Sequence, residues 1–161
     1  MDDSELEKPI SSIFSISEKN DIPTDIYPDF EGTKIIIYLK KELYEIYYHF
    51  KDVNNGALRR YLTGVIVYPV LVEAVDIVLS SKSEDDDNSS NNNYNDLQWF
   101  RAIRLKINES ANKFDNPYDE YATVLADYLL GGISLDSLKG FKNFIDNEVN
   151  SGEGQMTGGI N

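Results

Sequence analysis

The residues TGVIVYPVLVEAVDIVL, Thr63 to Leu79, form the most apolar stretch of the chain, and few folds can accommodate them. Three readings compete. A membrane span needs about 20 consecutive apolar residues, and a carboxylate in hydrocarbon is costly. This run meets Glu73 and Asp76 within a few turns. A single buried strand fails on length and on Pro69, which has no amide proton to give to a ladder. Two strands divided at Pro69, one through Val65, Ile66 and Val67 and one through Val70, Leu71 and Val72, form the remaining β alternative.

The helical reading accounts for more residues. Upstream, Leu58, Tyr61, Leu62, Val65 and Ile66 keep helical spacing while Arg59, Arg60 and Thr63 make a polar face. Downstream, Glu73, Asp76 and Ser80 continue a polar line at the same spacing. The stretch therefore predicts one long core helix from about Gly56 to Ser81, with neighbours on several sides. Proline in a helix interior removes a backbone donor and clashes with the carbonyl four residues earlier. The helix is thus expected to kink at Pro69, against the carbonyl of Val65, or to be two helices meeting at a bend. Gly64, one turn earlier, weakens the same region or permits close packing.

The rest of the chain supplies elements that can pack on this helix. Ile13, Phe14 and Ile16 within Ser11 to Ser17, and Ile35, Ile36, Ile37 and Tyr38 within Thr33 to Leu39, predict a two-stranded β element. In KKELYEIYYHFK the residues Leu43, Ile46, Tyr47 and Phe50 share one helical face, and the helix ends near Asn54-Asn55-Gly56. Asp96 is the expected cap of a helix whose Phe100, Ile103, Ile107 and Ala111 align. Asn116 and Pro117 open another, striped by Tyr118, Tyr121, Ala122, Leu125 and Leu129 and stopped at Gly131. After the Gly131-Gly132 break, Ser134 is expected to cap a last helix carrying Leu135, Leu138, Phe141, Ile145 and Val149, paired with the preceding one as an αα-hairpin.

The fold class expected is mainly α, an α+β chain with a small N-terminal β element and a helical bundle around a long Pro-kinked central helix. Composition bounds the domain count: at 161 residues, with 41% hydrophobic and 27% charged residues, the chain has material for one core. The domain is placed at 10–150. A disordered acidic leader is expected at 1–9, a disordered polar loop at 80–95 and a disordered glycine-rich tail at 151–161, because none of these can bury enough apolar surface to offset its ordering entropy.

Charge narrows the partners. The net charge is −13, with nine acidic against two basic residues over 1–33 and a slight basic excess over 34–81 and 97–115. Nucleic-acid affinity rests mostly on Lys and Arg neutralising phosphates, so direct nucleic-acid binding and anionic membranes are disfavoured. The absence of cysteine excludes disulfides and thiolate zinc sites, and the acidic start MDDSELEKPISS resembles neither a secretory signal nor a transit peptide. A cytoplasmic location is expected.

Chemistry-bearing motifs are scarce. His49 follows Glu45 by one turn, but two ligands on one helix fall short of a zinc shell, and the histidine reads as a surface or rim residue. One histidine without a nucleophile elbow completes no triad, and there is no P-loop or Gly-x-Gly-x-x-Gly. The Asp85-Asp86-Asp87 run lacks the ligand alternation, turn glycine and closing glutamate of an EF-hand. No enzyme activity, cofactor or metal is expected. The eleven tyrosines are more suggestive, since tyrosine is enriched where one end is apolar and the other wet. Tyr44 and Tyr48 beside the stripe of their helix, with Trp99 as an anchor, form the candidate interaction surface. The function expected is a non-enzymatic protein-interaction or assembly domain, whole or as part of a larger protein, with a protein partner or self-association. The alternative is an acidic inhibitor, a nucleic-acid mimic or toxin-neutralising partner, that sets its carboxylates against a basic protein. No residue pattern is specific enough to name a family.

Overall fold

The computed structural model describes residues 10–51, 56–82 and 94–132, and of the C-terminal stretch 135, 138–139, 141–143 and 145–150. The leader at 1–9, the tail at 151–161, Ser134 and the Asp85-Asp86-Asp87 run lie outside the described residues. The chain is mainly α with a three-stranded sheet near its start.

That sheet differs from the expected pair of strands. β1 (Phe14–Glu18) lies parallel to β3 (Ile35–Leu39), and β2 (Ile26–Asp29) lies antiparallel on the other side, giving the order β1-β3-β2. The additional strand contains Pro28; β2 is bonded to β3 alone, and an edge is where a proline can sit in a sheet. β3 is in the middle and alternates with the two-residue period of a strand. Ile35, Ile37 and Leu39 are fully buried, while Ile36 and Tyr38 face the other way and are half-buried. The sheet is thus one wall of the core and not an appendage.

The apolar stretch is helical from end to end. α2 (Gly56–Leu62) runs through a π-helical turn (Thr63–Val67) into α3 (Tyr68–Lys82). The irregularity expected at Pro69 takes the form of this π turn. The Tyr68 N–H donates to the carbonyl of Thr63, five residues back, so the chain is already out of α register when the proline arrives. A wider turn shifts the carbonyls that the pyrrolidine ring would otherwise strike. Pro69 itself lies on an exposed line with Val65, Glu73, Asp76 and Ser80, the polar line expected from the sequence extended upstream by one turn. The opposite side, Ile66, Val67, Val70, Leu71, Ala74, Val75 and Val78, is buried.

Around that buried side stand β3, α4 (Gln98–Glu109) and α5 (Ala122–Leu129). α4 contributes Trp99, Phe100, Ile103 and Ile107, all fully buried. Two details of its sequence reading change. The N-cap is Leu97 and not Asp96, with no side-chain cap bond, and Ser110 takes the inward place expected for Ala111, its hydroxyl donating to the Ile107 carbonyl at 2.6 Å. Of the stretch expected as a loop, 80–95, residues 80–82 belong to α3 and a turn at Tyr94 returns the chain, with the Leu97 N–H donating to the Tyr94 carbonyl at 2.9 Å, while 83–93 lie outside the described residues.

Asn116 does precede Pro117 at a helical start, but of a single 3-10 turn (Pro117–Asp119); α5 begins only at Ala122. Of its expected stripe Leu125 is fully buried and Tyr118, Ala122 and Leu129 are half-buried against the core, joined by the buried Ala126, whereas Tyr121 is 80% exposed, because as N-cap residue it stands outside the helix whose face it was assigned to. α5 ends as the two glycines demand. Gly131 and Gly132 have φ of 71° and 81°, and their N–H groups donate to the carbonyls of Tyr128 (3.0 Å) and Asp127 (2.8 Å), the paired bonds of a Schellman stop.

Candidate interaction surface

α1 (Lys41–Lys51) carries two of the three residues expected at a contact surface. Its start is held from a distance: Asn20, in the loop after β1, accepts the Lys41 N–H on its side-chain oxygen at 2.9 Å. No residue of α1 with a described side chain is fully buried, so the helix rides on the margin of the core. Leu43, Tyr44 and Tyr47 turn inward, while Ile46, assigned to the inward stripe from its spacing, is exposed. Tyr44 is half-buried and its ring lies 5.9 Å from that of the exposed Tyr48. His49 and Glu45 are both exposed, and among the described residues no group of three potential ligands could hold a metal ion.

Trp99, the third, does not belong to a surface. It is 0% exposed, its indole N–H donates to the Phe30 carbonyl at 2.8 Å, and Phe30, Tyr94 and Phe100 surround its ring with centroids 5.5 to 5.8 Å away. Its backbone N–H adds a bond to the Thr33 carbonyl at 3.1 Å. The sequence placed it beside a polar loop, but the return of the chain at Tyr94 and the turn between β2 and β3 close over it.

The same turn borders an open cleft of about 470 Å³, walled by Tyr27, Tyr38 and Tyr94 and by the carboxylates of Asp21, Asp29 and Glu31. Tyr27 and Tyr38 are cross-strand partners, and the Lys19 ammonium lies 4.9 Å over the Tyr38 ring. Asp29 is engaged locally, accepting the Glu31 N–H at 2.9 Å.

Among the described residues, the longest line of exposed large apolar side chains is at the C-terminal end. The described residues between 135 and 150 are helical, and the stripe Leu135, Leu138, Phe141, Ile145 and Val149, which the sequence assigns to packing, is 42–69% exposed at every position. The Phe141 ring is stacked on Tyr61 of α2, with ring centroids 5.7 Å apart. Other exposed apolar residues, such as Val65, Tyr27 and the pair Tyr121 and Val124, occur singly or in twos, as they do on most protein surfaces. Five in one helical line do not. Periodicity signals that a helix has an apolar face, and it carries no information on what covers that face.

α2, the π turn and α3 also include a 22-residue helix, Arg60–Ser81, with mean hydropathy 2.0, long and apolar enough to cross a membrane by length and composition, of which 39% of the most apolar window is buried. No family model, curated protein or solved structure matches this chain.

Proposed function

We propose that the chain is a non-enzymatic protein-interaction or assembly domain that docks through the apolar face of its C-terminal helix. The observation that supports this is the exposure, all along one face, of Leu135, Leu138, Phe141, Ile145 and Val149, while most large aliphatic side chains of the other described elements pack around α3 and β3. An apolar stripe at i, i+3 and i+4 spacing is the form in which helices are recognised by grooves and by other helices. The half-buried Tyr44 and exposed Tyr48 on α1 offer a second, smaller aromatic patch.

The test compares the wild-type chain with Leu138→Asp and Tyr48→Asp as baits in extracts of the native host. Loss of a specific binder on Leu138→Asp, with α1 variants less affected, supports the reading. Identical binders on wild type and Leu138→Asp would contradict it.

A further inference from the structure

We infer that the occupant of the C-terminal helical face is a second copy of this chain, packed antiparallel about a two-fold axis near Asn143; this deepens the interaction reading above and rests on it. Charge selects the occupant. On the flank beside the apolar stripe, helical spacing places Lys139 and Lys142 toward the N-terminal end and Asp146 toward the C-terminal end, and all three are exposed. Lys142 and Asp146 lie 3.5 Å apart within the helix, which confirms that they share this flank, and their side chains remain 77% and 54% exposed.

In an antiparallel two-fold pair the same flank of each copy faces its counterpart, run in the opposite direction. Each Asp146 then meets Lys139 and Lys142 of the other copy. The same register sets Leu138 against Val149 and Phe141 against Ile145, so large apolar side chains meet at both ends of the overlap. A parallel pair would bring the flank of one helix to the opposite flank of the other, setting Asp146 beside Glu148. The face is therefore self-complementary in one direction only, and the antiparallel arrangement also aligns the helix dipoles favourably.

Area sets the strength. Five large side chains exposed by 42–69% offer on the order of 400 Å² per copy, against roughly 800 Å² per partner in a standard stable interface. Such an area belongs with weak, transient contacts, and the net charge of −13 on each copy opposes pairing until salt screens the long-range repulsion.

The experiment is sedimentation velocity on the full chain over a concentration series at physiological ionic strength. Wild type should pass from monomer to dimer in the micromolar range, and Leu138→Asp should weaken the dimer by about 100-fold, a buried anchor counted on both copies. Asp146→Lys and the double variant Lys139→Glu/Lys142→Glu each make the flank single-signed. Each alone should dimerise about 5- to 10-fold more weakly, while their equimolar mixture should recover a heterodimer of at least wild-type affinity. A wild type that stays monomeric at the highest concentration, or a mixture no tighter than its components, would overturn the proposal. If a monomeric wild type still loses an extract partner on Leu138→Asp, self-pairing fails and the interaction reading survives; if no partner is lost either, both fail.

Discussion

The indole N–H of Trp99 donates to the carbonyl of Phe30 across 2.8 Å, joining the first turn of α4 to the loop between β2 and β3. Through this bond and that between the Trp99 N–H and the Thr33 carbonyl, the sheet and the helices close on one another. Trp99→Phe keeps an aromatic ring but leaves the Phe30 carbonyl without its donor, at a cost of about 1–3 kcal/mol. Trp99→Ala adds a cavity, for about 3–5 kcal/mol in all. Urea titrations followed by far-UV circular dichroism would measure both, and equal losses for the two variants would show that the bond contributes little.

Pro69 lies two residues beyond a π turn that the sequence alone does not require. If the turn relieves the ring's clash, Pro69→Ala should let the α register run through Thr63–Val67 and raise stability by about 1 kcal/mol, part of the roughly 3 kcal/mol that separates Pro from Ala in a helix interior. The unfolding midpoint and amide exchange at Tyr68 would report this. A lower midpoint would assign the π turn to the packing of Ile66 and Val67 instead.

Gly131 stops α5 with a φ of 71°, and a Cβ there would meet nothing within 4 Å. The cost of Gly131→Ala is therefore one of backbone alone, about 1–2 kcal/mol, and Gly131→Asn should cost less because asparagine tolerates the left-handed region. Thermal unfolding of the two variants should rank them in that order.

The Tyr118 hydroxyl donates to the Asn108 side-chain oxygen at 2.6 Å, and burial raises its pKa above the ordinary 10.0, opposed by the positive charge of Arg104. The folded state thus holds this proton more tightly than the unfolded chain. The contribution is intact below pH 10 and is lost as pH rises past 10 through the folded value. Tyr118→Phe should flatten the fall in stability over that interval, read from urea midpoints at pH 9 and above. An unchanged slope would contradict it.

These residues also show where sequence reasoning carried and where it stopped. The helical character of Gly56–Lys82, the polar line through Glu73, Asp76 and Ser80, and the glycine stop of α5 follow from local spacing and backbone preference, and the structure has them. β2 was hidden because Pro28 disqualifies a central strand, and only the pairing with β3 makes it an edge. Trp99 was misplaced because its burial is produced by Phe30 and Tyr94, one distant in the chain and one on a turn read as loop. Ile46 and the stripe from Leu135 to Val149 have the periodicity of core residues, and only tertiary structure decides that they are left uncovered.

The central claim is that this stripe lies outside the chain's own core. It is tested most directly by urea unfolding of Leu138→Asp and Leu125→Asp at sub-micromolar concentration, where self-association is negligible, followed by the fluorescence of the single, buried Trp99. Leu125 is fully buried, and a carboxylate there should cost at least about 3 kcal/mol. Leu138 is 69% exposed, and its substitution should cost no more than about 1 kcal/mol, the helix propensity of aspartate included. A loss at Leu138 as large as that at Leu125 would place the stripe in the core and remove the docking face.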